Sequence, residues 1–186
     1  SPVGDFALEA SLPTESGFGP ATASFRVFVR DPKHPALVID LDGTVCSSSE
    51  IEVGMKPAAE IQSVEGAAAA LEELSKSYDL VYLTARDDAL INVTREWLDL
   101  RGFPRGPLLV RDLSLWNLSA EKYKRNRLLA LKKDFNLVAG VGDRDEDALA
   151  FMAAGMQAYL IGKPEKITLN LMKEFRKLTK TDGIKY

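Results

Sequence analysis

The feature that most constrains this chain is an apolar run that ends abruptly in two carboxylates. The apolar residues 36–39 are followed directly by Asp-Leu-Asp-Gly-Thr at residues 40–44. So apolar and β-branched a run predicts a strand buried on both faces, as in a parallel sheet. Asp40 and Asp42 fall outside its carboxyl end, where open α/β sheets bind their ligands. Because side chains two residues apart on a strand share a face, these two acids indicate a nearby cation.

The composition is that of an ordinary globular chain, and it excludes several kinds of metal and disulfide site. The 186 residues are 46% hydrophobic and 27% charged, with a net charge of −3, which argues against a dedicated non-specific nucleic-acid binder. Cys46 is the only cysteine and His34 the only histidine. An intrachain disulfide, a thiolate metal site and a histidine-rich metal centre are therefore excluded. No apolar stretch approaches the roughly 18 residues of a membrane span.

The chain divides into a lead-in and one domain. Residues 1–24 are rich in Ser, Pro, Gly, Thr and Ala, which predicts an irregular lead-in. Residues 25–186 are expected to form a single domain that starts with a half-buried edge strand over residues 25–30. We expect a cytoplasmic location, and because the chain begins at Ser1 rather than Met, a processed or secreted form stays open as an alternative.

Apolar runs alternate with segments of helical periodicity over the rest of the chain. This alternation is typical of right-handed βαβ units and predicts an α/β fold, a doubly wound, Rossmann-like parallel sheet of five strands with helices on both faces. Residues 46–63 are polar and turn-prone, and too few for a folded cap domain. After residues 36–39, the predicted strands cover residues 80–84, 107–110, 137–141 and 157–161. The predicted helices cover residues 64–77, 87–101, 119–134, 145–154 and 165–177.

Two further polar features fall at the carboxyl ends of predicted strands. Thr84 closes the second strand of the sheet, where a hydroxyl either caps the strand or donates to a phosphate oxygen. Four acids lie within residues 143–147, which is more than the N-terminus of a helix needs for capping. Beside Asp40 and Asp42, these acids supply the hard oxygen ligands that Mg²⁺ prefers.

These features, in this order, resemble the motifs of the haloacid dehalogenase (HAD) superfamily. Residues 40–44 are similar to its first motif, Thr84 to its second, and Gly-Asp-x-x-x-Asp at residues 142–147 to its fourth. A second Asp in the first motif marks the phosphatase branch, so the resemblance implies a phosphatase and not a dehalogenase. Both places where this superfamily carries cap domains are filled by core elements here, which implies a capless protein.

A cluster of carboxylates that acts on a phosphate needs a fixed cation nearby to offset its negative charge. A lysine fills this role in the superfamily. The superfamily places this lysine near the start of the helix before the fourth strand, where both Lys122 and Lys124 lie. We favour Lys124, since Leu128 and Leu131 follow it with helical spacing, and we keep Lys122 as the alternative.

The resemblance also implies a role for each site residue. Asp40 forms an aspartyl-phosphate, and Asp42 protonates the leaving oxygen and then activates water. Thr84 and Lys124 hold the phosphoryl oxygens. Mg²⁺ is expected to be bound by Asp40, by Asp42 through a backbone carbonyl of the 41–42 region, and by Asp143. Asp147 is expected to support these ligands. The expected substrate contacts are Gly43, Thr44, Ala85 and Arg86.

A capless site suits a large phosphorylated substrate such as a lipid, a polynucleotide or a protein. Residues 84–86, 94–98 and 102–108 resemble lipin-type and related phosphatidate phosphatase domains, and the first two are also similar to the 3′-phosphatase domains of polynucleotide kinases. We favour a phosphatidate-like lipid and keep a polynucleotide as the alternative. Arg86 and Arg95 are candidates to contact the substrate. A non-catalytic phosphate-sensing or interaction module on the same fold is the hypothesis of another class.

Overall fold

The structure is a computed structural model that describes residues 3–13, 17, 20–112, 114 and 118–161. A parallel sheet forms its centre. The strands of this sheet are β3 (Pro35–Ile39), β4 (Asp79–Asp87), β5 (Leu108–Arg111), β6 (Asn136–Gly142) and β7 (Gln157–Leu160). They are arranged in the order β5-β4-β3-β6-β7, and each pairs in parallel with its neighbours. The predicted doubly wound α/β fold is therefore confirmed.

Helices connect the strands, and no large cap domain is inserted in the described part of the chain. The helix predicted over residues 165–177 lies outside the described residues. No helix among the described residues is long and apolar enough to cross a membrane. The helices are α1 (Glu50–Met55), α2 (Ala67–Ser75), α3 (Ile91–Leu100), α4 (Ala120–Leu131) and α5 (Asp145–Ala153), with short 3₁₀ turns at Ala58–Glu60 and Asp88–Leu90.

The central strand β3 is apolar on both faces because each face carries its own core. Val38 and Ile39 point to opposite sides of the sheet, and both are completely buried. Ile39 packs in a cluster with Trp97 of α3, whereas Val38 packs in a second cluster with Phe151 of α5. Two cores on either side of one sheet hold the carboxyl end of β3 in a fixed place.

Helix α1 lies in the segment that was expected to be polar and turn-prone without a helix. Ser49 caps this helix, because its side chain accepts a hydrogen bond from the Glu52 amide and the Glu52 carboxylate accepts one from the Ser49 amide. This reciprocal capping box explains how six residues form a helix with Val53 as their buried residue.

A β-hairpin precedes the sheet, where residues 1–24 were expected to be irregular. Strands β1 (Gly4–Leu12) and β2 (Ala21–Val29) pair antiparallel as a separate two-stranded sheet. The Pro- and Gly-rich residues that suggested an irregular segment are concentrated in the connection, at residues 13–20. Arg30 ties the hairpin to the central sheet through ion pairs with Asp5 of β1 at 2.5 Å and Asp79 of β4 at 3.0 Å. The division of the chain into domains stays a prediction.

Candidate active site

The carboxyl ends of the three central strands bring the predicted acids to one edge of the sheet. Asp40 follows β3 directly and is 4% exposed. Its backbone amide donates to the carbonyl of Val141 in β6 at 2.9 Å, which places it beside the loop that starts at Asp143. On the other side of β3, the parallel strand β4 carries Thr84. The edge therefore gathers residues from segments that are distant in the sequence.

The loop after β3 is a tight turn that closes on the Leu41 carbonyl. This carbonyl accepts hydrogen bonds from the amides of Thr44, Val45 and Cys46 at 3.2, 3.0 and 2.8 Å. Gly43 has φ = 80°, and a side chain at this position would collide with the carboxylate of Asp143. Glycine is therefore required here both for the left-handed backbone and for the close approach of the two loops.

Gly43 and Thr44, which were predicted to contact substrate, make internal contacts in this structure. The Gly43 amide donates to the Cys46 carbonyl at 2.9 Å. The Thr44 side chain is completely buried, and its hydroxyl donates to Asp40 Oδ2 at 3.3 Å. These contacts shape the turn and orient Asp40, and they leave neither residue's amide free for a phosphate.

Lys124 lies at the centre of the acidic edge. Its side chain is almost completely buried, and Nζ donates to Asp40 Oδ1 and to Asp147 Oδ1, each at 2.5 Å. Lys122, two residues earlier on α4, is exposed. The helix thus brings Lys124 to Asp40 and leaves Lys122 in solvent. Of the two lysines that the sequence offered, only Lys124 contacts the acidic edge.

Burial dominates the electrostatics of this group. It raises the pKa of Asp40 to about 7, an effect that Lys124 opposes and Asp147 reinforces. Burial by itself lowers the pKa of Lys124, but the two carboxylates outweigh it and the pKa of Lys124 lies above its ordinary value. Lys124 is therefore a permanent cation that is shared by two acids.

Three carboxylates at this edge fit a divalent cation. One oxygen from each of Asp40, Asp143 and Asp147 lies within 4.8 Å of the others. Asp143 Oδ1 is buried and has no hydrogen-bond partner, and burial raises the pKa of this side chain. An unpaired buried oxygen is costly unless a cation satisfies it, so this donor set suits a hard metal ion. Asp147 belongs to the cluster itself, whereas the sequence placed it behind the ligands.

The Asp42 carboxylate is directed away from that cluster. Its oxygens accept from Arg86 Nε at 3.0 Å and from Arg86 Nη2 at 2.8 Å. Asp42 Oδ2 also accepts from the Thr84 hydroxyl at 3.1 Å. The Asp42 side chain therefore takes no part in the acidic cluster, and the expected metal contact through a backbone carbonyl of the 41–42 region stays a prediction. The competing partner is a guanidinium whose fork matches a carboxylate.

Arg86 does not face a substrate as predicted, because it is 1% exposed and surrounded by protein. Its Nη1 donates to the Thr94 hydroxyl at 3.1 Å, and its guanidinium lies 5.7 Å from the ring centre of Trp97. Thr84 is also completely buried, so its hydroxyl orients Asp42 in this structure. The signal was present in the sequence, since Thr84 and Arg86 are two residues apart on one strand and share a face.

Ala85, the remaining predicted substrate contact, alternates with these two residues. Its side chain is half-buried against the core cluster that contains Val38. Whatever contact Ala85 makes with a substrate is therefore limited to its backbone, and this role stays a prediction.

Several solved structures share this architecture. A chain of the Pnkp1/Rnl/Hen1 RNA repair complex matches with a TM-score of 0.60 and 16% identity, over 77% of this chain and 49% of that one. The class C acid phosphatase from Bacillus anthracis matches with a TM-score of 0.52 and 20% identity, over 84% and 81%. A hydrolase from Streptococcus pneumoniae TIGR4 matches with a TM-score of 0.50 and 15% identity, over 83% and 100%. The chain shares its fold with these proteins, and it spans about half the length of the repair-complex chain.

The sequence match is more specific than the structural one. The family model described as "PITM 1-3, LNS2 domain" matches residues 37–162, which is well over half of the chain. The chain belongs to this family of LNS2 domains, and the resemblance to lipin-type HAD domains is confirmed. Comparison with curated proteins found no match. The family, the fold and the acidic cluster together support an enzyme of the phosphatase class and are consistent with a divalent metal.

Proposed function

We propose that this chain is a Mg²⁺-dependent phosphomonoester hydrolase that works through an aspartyl-phosphate on Asp40. One observation carries the proposal. The buried Asp40 carboxylate contacts the fixed cation of Lys124 and lies beside the unpaired oxygen of Asp143. A carboxylate in such surroundings is poised for a reaction that gathers further negative charge at the same place, as phosphoryl transfer does.

The chemistry takes place in two steps at phosphorus. In the first, an Asp40 oxygen attacks phosphorus and forms a new P–O bond, while the bond between phosphorus and the leaving oxygen breaks and Asp42 gives that oxygen a proton. In the second, Asp42 takes a proton from water, whose oxygen attacks phosphorus and releases inorganic phosphate and the Asp40 carboxylate. Both steps conserve charge and protons, because Asp42 recovers in the second the proton that it gave in the first.

The metal and Lys124 divide the task of offsetting negative charge. A bound Mg²⁺ supplies charge neutralisation and orientation of the phosphoryl group, and Asp40, Asp143 and Asp147 are the carboxylates that would hold it. Lys124 keeps Asp40 and Asp147 close together despite their like charge. Its position between them also leaves a cation within reach of phosphoryl oxygens bound at Asp40.

Asp42 and Thr84 must separate during this cycle. In the structure the Thr84 hydroxyl donates to Asp42 Oδ2. Movement of the Asp42 carboxylate toward the leaving oxygen frees that hydroxyl for a phosphoryl oxygen, so one motion prepares both groups. Arg86 donates to both oxygens of Asp42 and limits the range of this motion.

The substrate class that we favour is a phosphatidate-like lipid. Membership in the LNS2 family supports this choice, as does the lipin-like segment at residues 102–108, which was not among the segments similar to polynucleotide 3′-phosphatases. The alternative, a polynucleotide 3′-phosphatase, is supported by the shared fold with a chain of an RNA repair complex. A phosphate-sensing module without catalysis is the third hypothesis. The retention of both Asp40 and Asp42 speaks against it.

Phosphate release tests these hypotheses together. The substrates are p-nitrophenyl phosphate, phosphatidic acid in micelles and a 3′-phosphorylated oligonucleotide, each with Mg²⁺ and with EDTA. We expect Mg²⁺-dependent release that is highest with phosphatidic acid and absent in Asp40→Asn. A preference for the oligonucleotide would select the alternative, and binding of phosphatidic acid without release would select the sensing module.

A further inference from the structure

A cavity outside the candidate active site lies between the N-terminal hairpin and the edge of the sheet. Its volume is about 310 Å³, and it is enclosed by β2, α3, the segment before β5 and parts of β4 and β5. None of the residues of the candidate active site lines it. The proposed hydrolysis therefore gives this cavity no role.

Three arginines from three separate elements line the cavity. Arg26 comes from β2, Arg95 from α3 and Arg105 from the segment before β5. All three are exposed, and within the described residues none forms an ion pair or a side-chain hydrogen bond. Asp99 is the only acid among the lining residues. Three guanidiniums without an ion-pair partner at one cavity form a cationic patch, and their forked geometry suits a carboxylate or a phosphate.

The remaining walls of the cavity are largely apolar. Phe28, Leu98 and Phe103 contribute side chains from three elements, and Phe25 at the rim is 47% exposed. Phe103 is held in place by Trp97, whose ring centre lies 5.2 Å from its own. Aromatic and aliphatic walls beside a few convergent polar groups are typical of sites for small molecules.

The hairpin is oriented so that charged and aromatic side chains of β2 line the cavity. Ser24, Arg26 and Phe28 alternate along β2 and therefore share one face, and all three line the cavity together with Ala7, the partner of Arg26 on β1. An isolated two-stranded sheet is marginally stable and has no core of its own. Its cross-strand face thus forms one wall of a shared site with the central domain.

We propose that this cavity is a second ligand site, separate from the catalytic edge, that binds a small anionic amphiphile. The ligand class is a phosphate monoester on an aromatic or short aliphatic body. The arginines contact the phosphate and the phenylalanine walls contact the body. A volume of about 310 Å³ lies near the lower limit for small-molecule sites and fits a ligand of this size.

The test uses phenyl phosphate as the probe and detects binding without turnover. The full chain with Asp40→Asn, in EDTA, is titrated while amide shifts are followed by two-dimensional NMR. We expect saturable shifts at Leu98, Gly106 and Leu108. The double variant Arg26→Ala/Arg105→Ala should weaken this binding at least about tenfold, because it removes two charge-assisted contacts. Lys133→Ala is the matched control, since Lys133 is exposed and is not one of the residues that line the cavity, and it should leave the affinity unchanged.

Two further titrations measure separately how the phosphate and the aromatic body of the probe contribute to binding. Inorganic phosphate and benzyl alcohol each carry one half of its chemistry, and we expect both to bind more weakly than phenyl phosphate. Shifts confined to residues 40–44, an unchanged affinity in the double arginine variant, or equal binding of inorganic phosphate would overturn the proposal. Tighter binding of an acidic peptide such as oligoglutamate would also overturn it, in favour of a peptide groove. None of these results depends on whether Asp40 is a nucleophile.

Discussion

Arg86 and Asp42 form a forked ion pair across 44 positions of the sequence. Arg86 Nε contacts both oxygens of Asp42 at 3.0 Å, and Nη2 contacts Oδ1 at 2.8 Å. The guanidinium is buried, whereas the Asp42 side chain is 27% exposed. The pair therefore anchors a reactive carboxylate from its protected side and leaves the other side open to a substrate.

Replacement of Arg86 should cost both stability and activity. In Arg86→Ala we expect a loss of about 3 kcal/mol in the free energy of unfolding. This is the lower end of the range for a broken buried ion pair, because the Asp42 carboxylate is partly exposed to solvent. Arg86→Lys retains the charge but not the fork and should fall in between. Urea denaturation measures this loss. Arg95→Ala, an exposed arginine on the neighbouring helix, is the control and should change the stability by less than about 0.5 kcal/mol. Equal losses in the two alanine variants would contradict the anchoring role.

Gly43 and Gly66 allow the backbone and the metal contributions to be separated. Both have left-handed φ angles, of 80° and 76°, but a side chain would meet Asp143 only at Gly43, since nothing lies within 4 Å at Gly66. Each substitution by alanine should cost about 1–2 kcal/mol of stability. Gly43→Ala alone should also weaken Mg²⁺ binding, measured by calorimetry, because it displaces a ligand. Unaltered Mg²⁺ affinity in Gly43→Ala would remove Asp143 from the proposed metal site.

Lys124 and Lys122 offer a matched pair on one helix. Lys124→Met leaves Asp40 and Asp147 without their shared cation, and we expect turnover of p-nitrophenyl phosphate to fall at least about a hundredfold. Lys122→Met should have no effect, since Lys122 is exposed. Steady-state kinetics, with circular dichroism as a check on folding, measures both variants. A larger loss in the Lys122 variant would assign the active-site lysine to the other position.

Helix α1 should lose part of its stability in acid. Hydrogen bonds from Lys56 and Ser49 hold the pKa of Glu52 at about 2, below its ordinary value of 4.5. Because the folded-state pKa is lowered, the stabilisation is fully present above pH 4.5 and is lost as the pH falls toward 2.

An NMR titration of the Glu52 carboxyl carbon should therefore show a midpoint near 2, returning toward 4.5 in the double variant Lys56→Met/Ser49→Ala. If the wild-type midpoint already lies near the ordinary value, the capping box does not form in solution.

The local sequence was sufficient for the fold and for the acidic edge. The apolar run through Val38 and Ile39 can only be a strand covered on both faces, and the alternation that follows it leaves few topologies. Asp40 and Asp143 follow strands of one parallel sheet and Thr84 lies near the carboxyl end of a third, so their meeting at one edge depends on topology and not on side-chain detail. For this reason the proximity of these three residues was predictable without coordinates.

The side chains that pair with these acids were harder to predict from the sequence. Whether Asp42 faces a metal or a guanidinium depends on which rotamers fit a packed core, and Arg86 reaches it from another strand. Asp147 enters the cluster because Lys124 draws it toward Asp40, a contact between two helices and a loop. A strand was predicted over residues 25–30, but its partner β1 was missed because the composition of residues 13–20 suggested an irregular segment.

The central claim is that Asp40 becomes phosphorylated, and trapping that species tests it most directly. Asp42→Asn removes the base that activates water, so the intermediate should accumulate when this variant reacts with p-nitrophenyl phosphate and Mg²⁺ and is quenched in acid. Peptide mass spectrometry should find one phosphoryl group on Asp40, and none in Asp40→Asn/Asp42→Asn. Phosphate release by the wild-type chain without a phosphorylated Asp40 in any quenched sample would contradict the account.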